Sequence, residues 1–125
     1  MLLVTHVFYW AVSEPWRLLE GRRQLIEVQR GEIYVSAVTA WEIAIKVKIG
    51  KWSEAAGYLP GIAAVAVESG FTPLGITMEH AERAGSLPLH HRDPFDRLLA
   101  AQSLVLGVPI MSNDPVVERV GCTVI

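Results

Sequence analysis

Short apolar runs rich in β-branched and aromatic residues recur along this chain, separated by longer segments that carry helical spacing or helix-end signals. Residues 2–9 (LLVTHVFY) form the first such run and predict a buried strand. Ser13-Glu14-Pro15 supplies a capping serine and a first-turn proline, predicting a helical stretch to Arg30 in two pieces around Gly21, with Gly31 as its stop. A second strand is predicted over 32–36 (EIYVS), and Ser36 caps a helix over 37–49 that ends at Gly50. The middle predicts a helical turn over 53–58 broken by Pro60, a helix over 61–69 stopped by Gly70, and a short strand over 71–76 (FTPLGI). Pro73 confines that strand to a sheet edge. Thr77 then caps a helix to about Ala84, and 86–92 is a loop. A helix from Asp93-Pro94 to Gly107, a strand over 108–111, a turn at 112–115 into a short helix, and a final strand over 122–125 complete the order. Alternation of this kind specifies an α/β domain with a mostly parallel sheet, whose ligands bind beyond the carboxyl ends of the strands.

Composition removes several alternatives. With 51% hydrophobic and 19% charged residues over 125 positions, the chain is too apolar to stay disordered and fits one domain over 1–125. Charges, prolines or glycines interrupt every apolar stretch well before the roughly 20 residues a membrane helix needs. The amino-terminal segment lacks a basic region and a cleavage site of small residues, so it does not read as a signal peptide. The single cysteine, Cys122, excludes a disulfide framework and a cysteine zinc site and suits the cytoplasm. A net charge of −2 gives no broad basic field for nucleic acid, so such binding must come from a local patch.

The carboxylates are distributed unevenly. Ten of the 13 acids are Glu, and the three Asp all lie between positions 93 and 114. Glu42 falls within roughly 40° of Val38 on a helical projection, on a stripe shared with Trp41, Ile45 and Ile49. A carboxylate there needs a partner, and Lys46, one turn on, offers a purely structural one. Asp93 and Asp96 in HHRDPFDRLL are what a helix start prefers, yet His90, His91, Arg92 and Arg97 make the same turn basic. Such a patch can hold phosphates while its acids hold a metal. Asp114 in SNDP is an ordinary turn signal that also follows a predicted strand. Thr5 and His6 close the first predicted strand at the same edge. The adjacent His90 and His91 make a poor metal pair, and neither a nucleophile elbow nor a glycine-rich phosphate loop occurs. Trp10, Trp16, Trp41 and Trp52 read as core or interface residues.

The order T-H-V-x-x-W, V-S-A-x-x-x-W-E-I-A-I-K, L-P-x-H-H-R-D-P-F-D-R-L-L-A-A-Q and S-N-D-P resembles the PIN-domain ribonucleases of the VapC type, toxins of type II toxin–antitoxin pairs. The similarity covers nearly the whole chain. It implies a PIN-like α/β/α sandwich with a central, mostly parallel sheet, and a Mg²⁺ or Mn²⁺ site that activates water to cut RNA. The positions matching the family's metal-site acids are Glu42, Asp96 and Asp114, with Asp93 as a cap or support. Arg92, Arg97 and Lys46 become candidates to face RNA or the partner, and Thr5 to orient a water or ligand. A cognate antitoxin and a homodimer are implied as well.

One position departs from the pattern. In the family the first strand ends in an aspartate directly before T-H-V, whereas this chain has Val4. MLLVTHV reads either as that Asp replaced by valine or as MLLV followed by a deleted Asp, and a deletion would exchange the faces of the upstream strand residues. Either event removes an acid from the metal site and implies much reduced activity, as in a detoxified toxin. The alternative is a catalytically inactive PIN domain that still binds antitoxin or RNA.

Overall fold

In the computed structural model, which describes residues 1–88 and 93–125, four short strands form one parallel sheet. The strands are β1 (Leu2–Leu3), β2 (Tyr34–Ser36), β3 (Thr72–Leu74) and β4 (Ile110–Met111), in the order β3-β2-β1-β4. Leu2 and Leu3 pair with Tyr34 and Val35 on one side and with Ile110 and Met111 on the other. The strand predicted over 122–125 contributes a single parallel bridge, Val124 to Ile110. Pro73 lies in edge strand β3, where its missing N–H disturbs no second neighbour.

Helices α1 (Thr5–Ser13) and α2 (Glu20–Gln29) connect β1 to β2, α3 (Ala37–Lys48) and α4 (Ile62–Glu68) connect β2 to β3, and α5 (Met78–Ser86) and α6 (Pro94–Leu106) precede β4. The connections step outward to β3 and then return past β1 to β4. Right-handed crossovers in opposite directions place helices on both faces of the sheet. They also open a crevice at the carboxyl ends of β1 and β4, the switch point of such sheets. No helix among the described residues is long and apolar enough to cross a membrane.

Three expectations are corrected. The run over 2–9 is a strand only at Leu2–Leu3, and α1 begins at Thr5. Thr5, Val7, Phe8 and Tyr9 are all buried, so the helix shows no clear polar stripe and its residues mimic those of a buried strand. Ser13-Glu14-Pro15 accordingly ends one helix rather than starting another: Ser13 closes α1, and Pro15–Arg17 form a 3-10 turn. Gly21 does not divide the next segment, since α2 runs through it.

The local helix signals elsewhere act as expected. Ser36 accepts from Val38 N at 3.0 Å, and Thr77 and His80 cap α5 reciprocally. The core is built on Leu2, Leu3, Phe8, Ile33, Ile43, Leu99, Ile110 and Met111. Inside it Gln102 accepts from Ser36 and donates to Gly75 O at 3.1 Å, tying α6 to the ends of β2 and β3.

Candidate metal and nucleic-acid site

The crevice at the switch point is a cleft of about 440 Å³. It gathers Thr5, Glu42, Lys46, Asp93, Asp96 and Asp114, with Val4 in its wall. These residues come from four separate stretches of chain: the end of β1, the middle of α3, the start of α6, and the turn after β4.

Each side chain reaches the cleft for a local reason. Val4 is the N-cap position of α1 and leaves β1 directly, its N–H donating to Met111 O at 3.2 Å. Glu42 is one turn and a half into α3 and only 4% exposed. Its Oε1 accepts from the Thr5 hydroxyl at 2.6 Å, and its Oε2 pairs with Lys46. Thr5 spends its one hydroxyl hydrogen on Glu42, so the contact of 3.2 Å between Thr5 and Thr39 is made by Thr39 donating. The charge of Glu42 is thereby held inside the protein by a hydrogen-bond chain and one cation.

Asp93 is the cap expected from RDP: its Oδ1 accepts from Phe95 N at 2.9 Å and Asp96 N at 3.2 Å. Asp114 caps a 3-10 turn over Pro115–Val120 by accepting from Val116 N at 2.9 Å through Oδ1. Both acids line the cleft while capping with one oxygen, so capping does not remove either carboxylate from it. Asp96 is in the first turn of α6 and is not the cap. Its carboxyl is pushed up to about 7, first by burial and then by the charges of Asp93, Glu42 and Asp114, with Lys46 opposing. At neutral pH the cleft is short of positive charge.

The other candidates divide. Lys46 and Thr5 are in the cleft, whereas Arg97 is not among its lining residues. The Arg97 guanidinium donates to Pro88 O at 2.8 Å, Ala84 O at 2.5 Å and Leu87 O at 2.9 Å, fastening α6 to the end of α5. Arg92, His90 and His91 lie outside the described residues. Of the tryptophans, Trp52 is buried, while Trp16 is 71% exposed and so belongs to no core.

Sequence reasoning missed Arg22 altogether, and it placed His6 at this edge without giving it a role. Arg22 on α2 donates to Ser112 O at 2.7 Å and Ile125 O at 2.6 Å and also bonds Asn113, holding the turn that presents Asp114. Nothing in the sequence links positions about 90 residues apart. His6 lies in the cleft wall, where burial and the Lys46 cation push its imidazole below the ordinary value, against the pull of Glu42.

Among the described residues, no three of Asp, Glu, His or Cys stand close enough to enclose a metal ion unaided. The donor set nevertheless fits a hard divalent cation, because the cleft offers carboxylate oxygens and no thiolate. Such ions retain several waters, so a few carboxylates suffice.

Comparisons with known proteins agree with this architecture. Residues 1–121 match the PIN domain family. The chain is 31% identical over 115 residues to ribonuclease VapC22 of Mycobacterium tuberculosis (strain ATCC 25618 / H37Rv), covering 91% of this chain and 86% of that protein. Its fold is similar to a chain in the crystal structure of VapBC2 from Rickettsia felis bound to a DNA fragment from their promoter. There the TM-score is 0.72 at 13% identity, over 99% of this chain and 96% of that one. DNA-bound VapBC from Salmonella typhimurium is similar with a TM-score of 0.71 at 16% identity, over 99% and 95% of the two chains.

Proposed function

This chain belongs to the PIN-domain family, in its VapC type, and from that premise we propose that it is a metal-dependent endoribonuclease weakened at one position of its metal site. The observation that carries the reading is the convergence of Glu42, Asp96 and Asp114 on one cleft, in which Asp96 keeps its proton up to about pH 7. Glu42, Asp96 and Asp114 would hold Mg²⁺ or Mn²⁺, with Asp93 in support. A bound ion of that kind supplies a more acidic water and neutralises charge on the phosphate.

The chain's own residues do the rest. Thr5 and Lys46 hold the Glu42 carboxylate in one orientation at the cleft. Lys46, shared between Glu42 and the open cleft, attracts the phosphate of RNA. Asp96, raised to about 7, would have to release its proton to help hold such an ion, so metal affinity would depend on pH. Arg22 keeps the Asp114 turn in place.

Val4 supports the impairment. Whether it replaces the expected acid or adjoins its deletion, Val4 follows β1 directly and stands in the cleft wall. Its side chain cannot ligate a cation. A cognate antitoxin covering the cleft, pairing with a second copy of the chain and a cytoplasmic setting belong to the same reading. The alternative, a PIN domain that binds antitoxin or RNA without cutting, is favoured by Val4 alone.

RNA cleavage with Mg²⁺ or Mn²⁺, with EDTA controls, tests the proposal on this chain and on Val4→Asp. Weak cleavage that rises at least a hundredfold in Val4→Asp is expected. No cleavage by either chain refutes the nuclease reading, and equal cleavage by both refutes the role given to position 4.

A further inference from the structure

A second cleft, of about 330 Å³, opens beside the first. Its lining includes His6, Tyr9, Trp10, Glu14, Arg17 and Trp52, and His6 and Trp10 belong to both clefts. His6, Trp10 and Glu14 recur every fourth residue along α1 and its C-cap, which puts them on one face. The His6 imidazole lies flat on the Trp52 indole, with ring centres 4.5 Å apart and planes at 14°. Trp10 meets His6 edge-on at 6.0 Å, and Tyr9 meets Trp52 edge-on at 5.0 Å.

Packing accounts for only part of this cluster. Trp52 and Tyr9 are buried and form its floor. His6 is exposed and Trp10 half-buried, so their rings add little to the core. At the rim, Glu14 and Arg17 form an ion pair of 2.8 Å, an acceptor and a fork of donors side by side.

We propose that this aromatic cleft is a nucleobase subsite, taking one unpaired base of single-stranded RNA whose adjoining phosphate lies in the carboxylate cleft. The inference rests on the ribonuclease reading above and adds where the substrate is gripped. Unstacked bases of single-stranded RNA stack on aromatic side chains, and their edges hydrogen-bond to polar groups nearby. His6, already stacked on Trp52, continues the pile with a base. Glu14 accepts from an amino or imino N–H, and Arg17 donates to a ring nitrogen or carbonyl oxygen. A base within a duplex cannot enter, because its faces and its pairing edge are already occupied.

The test is binding rather than cutting. In EDTA, the affinity of the full chain is measured for a fluorescein-labelled single-stranded RNA decamer, for a ribose-phosphate decamer lacking bases, and for the duplexed decamer. The intact single strand is expected to bind about tenfold more tightly than the abasic chain and to quench tryptophan fluorescence. His6→Ala, an exposed substitution whose melting temperature is checked, is expected to lose that tenfold for intact RNA and nothing for the abasic chain. Equal binding of intact and abasic strands, no change in His6→Ala, or no RNA binding at all overturns the subsite. If Val4→Asp cuts RNA while His6→Ala binds like the parent, the subsite fails and the nuclease stands. If Val4→Asp cuts nothing while His6→Ala weakens RNA binding, the reverse holds.

Discussion

Asp96→Asn should stabilise the metal-free protein above neutral pH and leave it unchanged in acid. The Asp96 carboxyl is raised from 3.8 to about 7, so folding favours its protonated form. The stability this represents is fully present below about pH 4 and is lost as pH rises through about 7. Above that, the folded protein carries an ionised carboxylate among Asp93, Glu42 and Asp114. The bare shift corresponds to about 4 kcal/mol at 1.36 kcal/mol per pH unit. Asp96 is only partly buried, and solvent screening reduces this to about 1–2 kcal/mol. For a domain of this size that is a rise in Tm of about 3–8 °C. Circular-dichroism melts in EDTA at pH 4 and pH 8 measure it: Asp96→Asn should melt with the parent at the lower pH and above it at the higher. Mg²⁺ at pH 8 should close the gap by stabilising the parent more. A variant that gains equally at both pH values, or loses stability at pH 8, refutes the charge crowding on which the metal reading depends.

Substitutions at two further positions probe the scaffold of the site. Glu42→Ala removes the nearer of two acceptors of the Thr5 hydroxyl, leaving Thr39 at 3.2 Å, and should cost about 1 kcal/mol in urea unfolding, while Glu42→Gln, which keeps the nearer acceptor, should cost less. Arg22→Ala removes the ties to Ser112 O and Ile125 O, so hydrogen exchange over 110–114 should quicken and cleavage by the Val4→Asp chain should fall.

Features that depend on neighbours along the chain are legible in the sequence alone. Ser36, Thr77 and Asp93 announce helix starts because a capping side chain reaches only two or three residues along its own chain. Gly107 ends α6 with φ of 67°, a conformation that costs glycine least. The parallel sheet follows from the alternation of elements. The three matching acids are legible from the resemblance, and periodicity independently marks Glu42 as a carboxylate in need of a partner.

Local chemistry could not decide what long-range contacts decide. The run LLVTHVFY suits a buried strand or a buried helix equally, and only the pairing of Leu2 and Leu3 with β2 and β4 sets where β1 stops. Arg97 and Lys46 look alike as candidate cations beside acids. The fold assigns Arg97 to the carbonyls that end α5 and Lys46 to Glu42 in the cleft. Asp93 and Asp114 read as caps and are caps, yet they share one cleft only because the switch point brings the starts of two helical segments to one crevice. Arg22 and the stacking of His6 on Trp52 have no signature in the sequence at all. The sequence by itself determined the caps at Ser36, Thr77 and Asp93 and the order of most helices and strands, because those are set within a few residues. Which charges meet, which are neutralised and which are left crowded was decided by tertiary structure, because Coulomb energy depends on distance through space and on burial, and neither is a property of a linear chain.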